Sequence, residues 1–236
     1  MPIKRPSLIN NEFYHIVKRG VEERNIFLDD RDRLRFMNNL VVFNDVKPAP
    51  WVSRAFWDQR ELFSLMKMPK NYKQESLVQI HAFVLMKNHF HLLVQQIVEN
   101  GITDFMRKLG GYSYYFNKKY KRVGPLFQGR FKAVLIKTDE QLINTFAYIH
   151  TNPIEIVEKD WKEYRVSNPT KAFQFLNSYQ WSSYLNYIDN IDNFSAVINK
   201  NFFLEMLGSK ENCKKEIESR VLSKVHIKKL KEMGIE

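Results

Sequence analysis

Two histidines separated by one residue, His89 and His91, are the first side chains in this sequence whose types and spacing suit metal chemistry. Alternate residues of a β-strand point to the same face, so both imidazoles would lie side by side while Phe90 enters the opposite face. Two imidazoles do not complete the coordination sphere of a divalent metal, so a third ligand must come from elsewhere. From this pattern alone, a metal site and a structural histidine pair both remain open.

Tyr148 and Asn152 form a second pair, four residues apart, which places them on one face of a helix. If that helix lies along the sheet face that carries the histidines, the Asn152 amide oxygen could be the third ligand. Mixed imidazole and amide ligation suits Mg²⁺ or Mn²⁺ better than a structural zinc ion. Tyr148 would then present a phenol to a phosphate and conserve the bond energy as a phosphodiester. Simple packing of an amphipathic helix is the alternative explanation for this tyrosine.

The segments around these residues predict the elements that must position them. Apolar periodicity, acidic N-caps and Gly or Pro breaks predict strands at 13–17, 78–86, 89–95 and 130–136, and helices after Asp29-Asp30, from Thr103 toward Tyr120, and from Asp139 to Asn152-Pro153. Lys87-Asn88 is expected to be a tight connection that makes a hairpin of the second and third strands.

The order β-α-β-β-α-β-α predicts an α+β fold, a ferredoxin-like (RRM-like) antiparallel sheet with helices on one face. We expect this domain to span residues 1–190, with an insertion at about 45–77 that carries short helical pieces around 56–66. Residues 191–236 are expected to form a helical C-terminal extension, whose lysines would lie mainly in solvent.

The charge of the chain points to a polyanionic partner. The sequence has 37 basic and 26 acidic residues, a net charge of +11, and residues 105–138 contain nine Lys or Arg and no acid. Aromatic side chains in the same stretch could stack on unpaired bases while the cations contact phosphates. The candidate nucleic-acid-binding residues are Arg107, Lys118, Lys119, Lys121, Arg122, Arg130 and Lys132. For Arg130 and Lys132, a solvated sheet face is the alternative.

Composition also limits the setting in which the chain works. No apolar run approaches the roughly 18 residues that a membrane helix requires, and the N-terminal residues lack the apolar segment of a secretory signal. Cys213 is the single cysteine, which excludes an intrachain disulfide and a cysteine-based zinc site. We therefore expect a cytoplasmic protein without a membrane partner.

The segment MKNHFHLLV at residues 86–94 resembles the MPNHxHLL signature of the Y1 transposases, the IS200-like group of HUH single-strand endonucleases. Further motifs typical of the REP-associated tyrosine transposase branch occur at residues 19–20, 26–30, 115–117, 124–132, 148–153 and 179–184. Together the matches cover roughly residues 10–44 and 78–187.

The resemblance implies a role for each residue of the two pairs. His89 and His91 would bind Mg²⁺ or Mn²⁺, with Asn152 as the third ligand, and Tyr148 would be the nucleophile. The implied reaction on single-stranded or hairpin DNA leaves a 5′-phosphotyrosyl link and frees a 3′-hydroxyl. The branch also implies a monomer rather than a dimer.

Three departures and two alternative functions accompany this interpretation. Lys87 replaces the usual proline, the segment at 45–77 is longer than the family norm, and residues 154–178 separate the last two motifs by more than usual. His150 and His81 are expected to have packing roles. The alternatives are a non-catalytic nucleic-acid-binding protein of this fold, and a metal phosphodiesterase in which water, not Tyr148, attacks.

Overall fold

The computed structural model describes residues 7–47, 73–159, 161–162, 166–189 and 194–222. The short helical pieces expected around residues 56–66 lie outside the described residues. In chain order the elements are β1 (Phe13–Arg19), α1 (Asp30–Val42), β2 (Val78–Leu85), β3 (His89–Gln96), α2 (Gly101–Leu109), α3 (Tyr112–Lys119), β4 (Lys132–Ile136), α4 (Asp139–Thr151), α5 (Pro169–Ser178), α6 (Tyr184–Ile188), α7 (Asn201–Leu207) and α8 (Lys210–Leu222).

The four strands form one antiparallel sheet in the order β2-β3-β1-β4. β1 and β3 lie at the centre, and Val17 of β1 pairs with His91 on one side and with Lys132 of β4 on the other. This order is that of a ferredoxin-like sheet, so the predicted α+β fold class is confirmed.

An aromatic cluster packs α1 and α3 onto the face of the sheet that Phe90 enters. The Phe90 ring lies 4.7 Å from that of Phe36 in α1, which in turn meets Tyr112 of α3 edge-on at 5.2 Å. Asp29 begins α1 by accepting a hydrogen bond from the Asp32 backbone N–H at 2.9 Å, as its position before the apolar run predicts.

The opposite face of the sheet is covered by α4, so the prediction of helices on one face is correct only for the helices before β4. Both faces of β3 are buried, since every residue from His89 to Val94 is buried and only Gln95 is half-buried. α7 and α8 pack in turn against α4, where Phe203 stacks on Phe146 at 4.1 Å. Cys213 and Ile217 are fully buried, so one face of α8 packs into the core, while Lys214 and Lys215 on the same helix are exposed, as expected.

The single helix predicted from Thr103 toward Tyr120 is two helices, α2 and α3, separated at Gly110-Gly111. Two adjacent glycines weaken a helix interior, because they lose the most backbone entropy on ordering. α2 also begins earlier than expected, at Gly101, where an added Cβ would lie 2.3 Å from the Leu77 carbonyl oxygen. β4 begins at Lys132, two residues after the predicted start, because its pairing with β1 extends only from Phe13 and Ile136 to Val17 and Lys132.

The ends of the segment expected to be an insertion lie close together. The Asn44 side chain donates to the Val78 carbonyl at 2.8 Å and accepts from the Val78 N–H at 2.9 Å, and the Val46 N–H donates to Glu75 at 2.8 Å. These bonds join the end of α1 to the start of β2 across that segment. Within the ranges that the structure describes, no helix has the length and apolarity needed to span a membrane.

Candidate active site

The two central strands bring three histidines to the sheet face beneath α4. His89 and His91 lie on the same face of β3, as their spacing predicts, with ring centroids 4.9 Å apart. Val17 pairs with His91 across the two strands, so His15, two residues earlier on β1, lies on the same face. All three side chains are buried.

His15 contacts His91 directly, a partnership that was not expected from the sequence. Its Nε2 lies 2.9 Å from Nδ1 of His91, and the two rings are nearly parallel with centroids 5.0 Å apart. The bond leaves Nε2 of His91 on the far side of the ring, facing α4. The only signal in the sequence is that His15 lies in a predicted strand, which cannot indicate the partner strand or the register.

Burial and neighbouring positive charge keep these imidazoles neutral. Burial, then the charges of Arg19 and Lys162, lowers the pKa of His89 to about 3. Burial, then the neighbouring histidines, holds the pKa of His91 well below its usual 6.5. The pKa of His15 falls to about 3 through burial and the charge of Lys132. A neutral imidazole has one ring nitrogen with an available lone pair, which is the form that binds a metal.

α4 places Tyr148 and Asn152 above these histidines. Thr138 caps the helix by accepting from the Gln141 N–H, and the Asn152 N–H closes its last turn on the Tyr148 carbonyl. The Tyr148 ring meets the His91 ring edge-on at 5.5 Å, and Nδ2 of Asn152 lies 3.4 Å from Nε2 of His91. Tyr148 is 4% exposed.

The donor set at this face fits Mg²⁺ or Mn²⁺. Among the described residues, no group of three or more His, Cys, Asp or Glu side chains is arranged to hold a metal. Oδ1 of Asn152, the amide oxygen predicted to be the third ligand beside His89 and His91, is buried and finds no hydrogen-bond partner among the described residues. Turning the Asn152 amide over would direct that oxygen toward Nε2 of His91, because the two amide atoms are nearly equivalent in shape.

Two cations that were not expected from the sequence border the site. Arg19 pairs with His89 across β1 and β3, and its guanidinium forms an exposed ion pair with Glu23 at 3.2 Å. Lys162 follows α4 by a short 3₁₀ turn, and its Nζ lies 3.4 Å from the Tyr148 hydroxyl and 2.8 Å from a Glu155 oxygen. No local pattern in the sequence indicates this position of Lys162.

The expected nucleic-acid-binding residues divide into an exposed and an engaged set. Lys118, Lys121 and Arg130 are exposed, and Lys132 is half-buried on the sheet face of the histidines. Arg107 is exposed beside Asp104 at 3.1 Å. The two engaged residues hold local structure: Lys119 contacts Asp29 and Asp32, and Arg122 donates to Asn117 and Pro125. Lys119 and Arg122 therefore have structural partners within the chain.

His150 and His81 pack against residues outside the candidate site. His150 is fully buried, with Nε2 2.7 Å from the Ser183 hydroxyl, and burial lowers its pKa to about 3. His81 is also fully buried and packs between Phe13 and Phe202. The expected packing roles agree with these positions.

Comparisons with known proteins agree with the motifs. Residues 51–152 match the family model of the IS200-like transposases, a range that includes both histidines of β3, Tyr148 and Asn152. The fold is similar to that of a solved REP-associated tyrosine transposase bound to a REP hairpin, with a TM-score of 0.50 and 14% identity over 80% of this chain and 86% of that one. No curated protein sequence matches the chain. The family match supports the resemblance to the IS200-like transposases, and the solved structure shows that the fold is shared.

Proposed function

We propose that this chain, whose family match and fold support a DNA transposase, cuts and rejoins single-stranded DNA at or near hairpins. Tyr148 is the proposed nucleophile. His89, His91 and Asn152 are the proposed ligands of a Mg²⁺ or Mn²⁺ ion. The similar solved protein is bound to a REP hairpin. We propose that this chain also binds hairpin DNA.

One observation carries the proposal: α4 crosses the buried histidine face with Tyr148 and Asn152 directed at His91. The tyrosine ring lies 5.5 Å from the imidazole, and the amide group lies 3.4 Å from Nε2. An ordinary packing helix would fill this position with apolar side chains. Instead, a phenol, an unpartnered amide oxygen and neutral imidazoles meet in a buried environment, where a fixed charge acts strongly.

The proposed reaction transfers a DNA strand to the tyrosine. When bound, the divalent ion would withdraw negative charge from the scissile phosphate and orient it for in-line attack. The Tyr148 oxygen forms a bond to phosphorus as the bond from phosphorus to the 3′ oxygen breaks. The phenolic proton passes to water, and the departing 3′ oxygen takes a proton from water. The resulting 5′-phosphotyrosine keeps the energy of the broken bond for rejoining.

A non-catalytic binder of the RRM type does not suit this geometry. Such proteins stack bases on aromatic side chains of an open sheet face. Here the sheet face beside β1 and β3 is covered by α4, and His15, His91 and Tyr148 are all buried beneath it. A metal phosphodiesterase that uses water would need the same metal ligands but not the tyrosine. One experiment therefore distinguishes this function from strand transfer to Tyr148.

That experiment is a search for a covalent adduct. The full chain is incubated with Mn²⁺ and a pool of single-stranded hairpin oligonucleotides labelled at the 3′ end, because the proposed link retains the downstream fragment. We expect label that migrates with wild-type protein under denaturing conditions. Tyr148→Phe should reduce it to background, because the ring remains but the attacking oxygen is lost. Tyr184→Phe is the matched control, since Tyr184 is fully buried in α6, away from β3.

Each departure from this result has a distinct meaning. Adduct formation by Tyr148→Phe would show that another residue is the nucleophile. Cleavage without an adduct, undiminished in Tyr148→Phe, would establish the water mechanism. The absence of both cleavage and adduct with wild type, across the whole pool, would contradict the enzymatic proposal.

A further inference from the structure

Lys162 lies beside the proposed nucleophile, although it is 14 residues further along the chain. It falls outside residues 51–152, the range that matches the family model, and in the segment that separates the last two sequence motifs. After α4 ends, the chain continues into the 3₁₀ turn Asn152–Ile156. Trp161 is buried, and the next residue, Lys162, contacts Tyr148 of α4.

The ammonium group of Lys162 is held in a defined orientation. Its Nζ lies 2.8 Å from a Glu155 carboxylate oxygen, and its side chain is only 16% exposed. Nζ also lies 5.2 Å above the Tyr148 ring and 3.4 Å from its hydroxyl oxygen, at the long end of hydrogen-bond distance. Ring and hydroxyl therefore both face one cation, which the adjacent carboxylate and the buried tryptophan keep in place.

Lys162 brings a positive charge directly to the phenol at the end of α4, because its Nζ lies 3.4 Å from the Tyr148 hydroxyl and is itself bound by Glu155 at 2.8 Å. Among the residues that the structure describes, Nζ of Lys162 contacts the Tyr148 hydroxyl and the Glu155 carboxylate, and the His15 and His91 rings lie edge-on to the Tyr148 ring. Negative charge that develops near the phenolic oxygen would be stabilised by this arrangement.

We infer that Lys162 is a further catalytic residue, whose ammonium group stabilises negative charge on the Tyr148 oxygen. The inference rests on the proposed function. In cleavage, the phenol loses its proton to water and its oxygen bonds to phosphorus while the bond to the 3′ oxygen breaks. In rejoining, a 3′-hydroxyl attacks phosphorus, loses its proton to water, and expels the Tyr148 oxygen. That oxygen carries negative charge as it departs, so Lys162 acts in both directions.

The test compares Lys162→Met with Lys159→Met, which removes the same charge from an exposed position three residues earlier. The substrate is the hairpin oligonucleotide that wild type cleaves fastest in the presence of Mn²⁺. Single-turnover adduct formation at saturating protein gives the rate constant, and fluorescence anisotropy without metal gives the DNA dissociation constant. Rejoining is measured by adding a 3′-hydroxyl oligonucleotide to the isolated adduct.

We expect Lys162→Met to slow cleavage and rejoining by about 100-fold, the usual effect of losing one donor to a developing oxyanion, with DNA affinity close to that of Lys159→Met. Lys162→Arg, which keeps the charge, should recover most of the rate. Thermal unfolding of each variant identifies any loss through misfolding, and Lys162→Arg keeps the inference testable if Lys162→Met does not fold.

Four results would overturn the inference. Equal rates for Lys162→Met and Lys159→Met would remove Lys162 from the reaction and leave the proposed function intact. A change in DNA affinity alone would make it an ordinary phosphate contact. A folded Lys162→Arg as slow as Lys162→Met would exclude a role for the charge. Wild type that forms no adduct would overturn the proposed function, and this inference with it.

Discussion

The contact between His91 and His15 is compatible with the tautomer of His91 that the proposed metal site requires. For Nε2 of His91 to present a lone pair to a metal, its proton must reside on Nδ1, where it donates to Nε2 of His15 at 2.9 Å. Metal-binding histidines commonly donate their second nitrogen to a carboxylate or carbonyl oxygen, which fixes the ring orientation. A neutral imidazole performs that function here, so His15 is a positioning residue in the proposed site.

Replacing His15 should therefore weaken metal binding without removing a ligand. We expect His15→Phe to lower Mn²⁺ affinity by about 10- to 100-fold, because the acceptor for the His91 proton is lost while a ring remains. Isothermal titration of the DNA-free protein measures this affinity. His81→Phe, a similar change at a buried histidine of β2, serves as the control. Equal Mn²⁺ affinity in the two variants would contradict the positioning role.

Helices α1 and α3 are joined by a buried carboxylate rather than by apolar contacts alone. Asp32 is completely buried and accepts hydrogen bonds from Lys119 at 2.6 Å and from the Tyr120 hydroxyl at 2.7 Å. The backbone N–H of Asp32 donates to the Asp29 carboxylate, so Asp29 and Asp32 together form the start of α1. Lys119 therefore has a structural partner although it lies in the most basic stretch of the sequence.

The neighbouring lysines of α3 should consequently behave differently. Lys119→Met should lower the free energy of unfolding by about 3 kcal/mol, because it leaves the Asp32 carboxylate buried without its cation. Lys118→Met, at an exposed position, should change stability by less than about 0.5 kcal/mol. It should instead weaken DNA binding and reduce the salt dependence of that binding by about one phosphate contact. Urea unfolding measures the stability of each variant, and anisotropy at several salt concentrations measures its DNA binding. A stability loss in Lys118→Met, or a loss of DNA binding alone in Lys119→Met, would contradict these roles.

The molecule as a whole buries several neutral imidazoles, which makes its stability sensitive to acid. The pKa values of His15, His89 and His150 fall to about 3, and that of His81 to about 4, chiefly through burial. Because these values lie below 6.5, the unfolded chain binds more protons than the folded chain between the two limits. The stabilisation is complete above pH 6.5 and is lost as the pH falls toward 3.

His150 provides a test of this effect outside the proposed metal site. Between pH 7.5 and pH 5.0, one such histidine should lower the free energy of unfolding by about 2 kcal/mol through proton binding to the unfolded chain. We expect the free energy of unfolding of His150→Asn to fall by about 2 kcal/mol less than that of wild type between pH 7.5 and pH 5.0. At pH 7.5 the variant is less stable than wild type. Urea unfolding at both pH values gives the difference, and parallel losses in the two proteins would disprove a neutral, buried His150.

Local patterns in the sequence are sufficient for most of the elements and for the two residue pairs. The alternation of a strand puts His89 and His91 on one face, the period of a helix puts Tyr148 and Asn152 one turn apart, and Pro153 ends that helix. These are properties of three to six consecutive residues, and together with the motifs they indicate a resemblance to the IS200-like transposases. The roles assigned to the four residues remain predictions.

Only the tertiary structure decided which separate segments meet. His15 lies 76 residues before His91, and Lys119 lies 87 residues after Asp32, so neither contact is visible in any local window. The sheet register joins the first pair, and the packing of α3 on α1 joins the second. The position of α4 on the histidine face likewise follows from β3 being buried on both sides, which requires a second helical layer. The sequence thus determined which reactive side chains each element carries. Long-range packing determined which of those side chains come into contact.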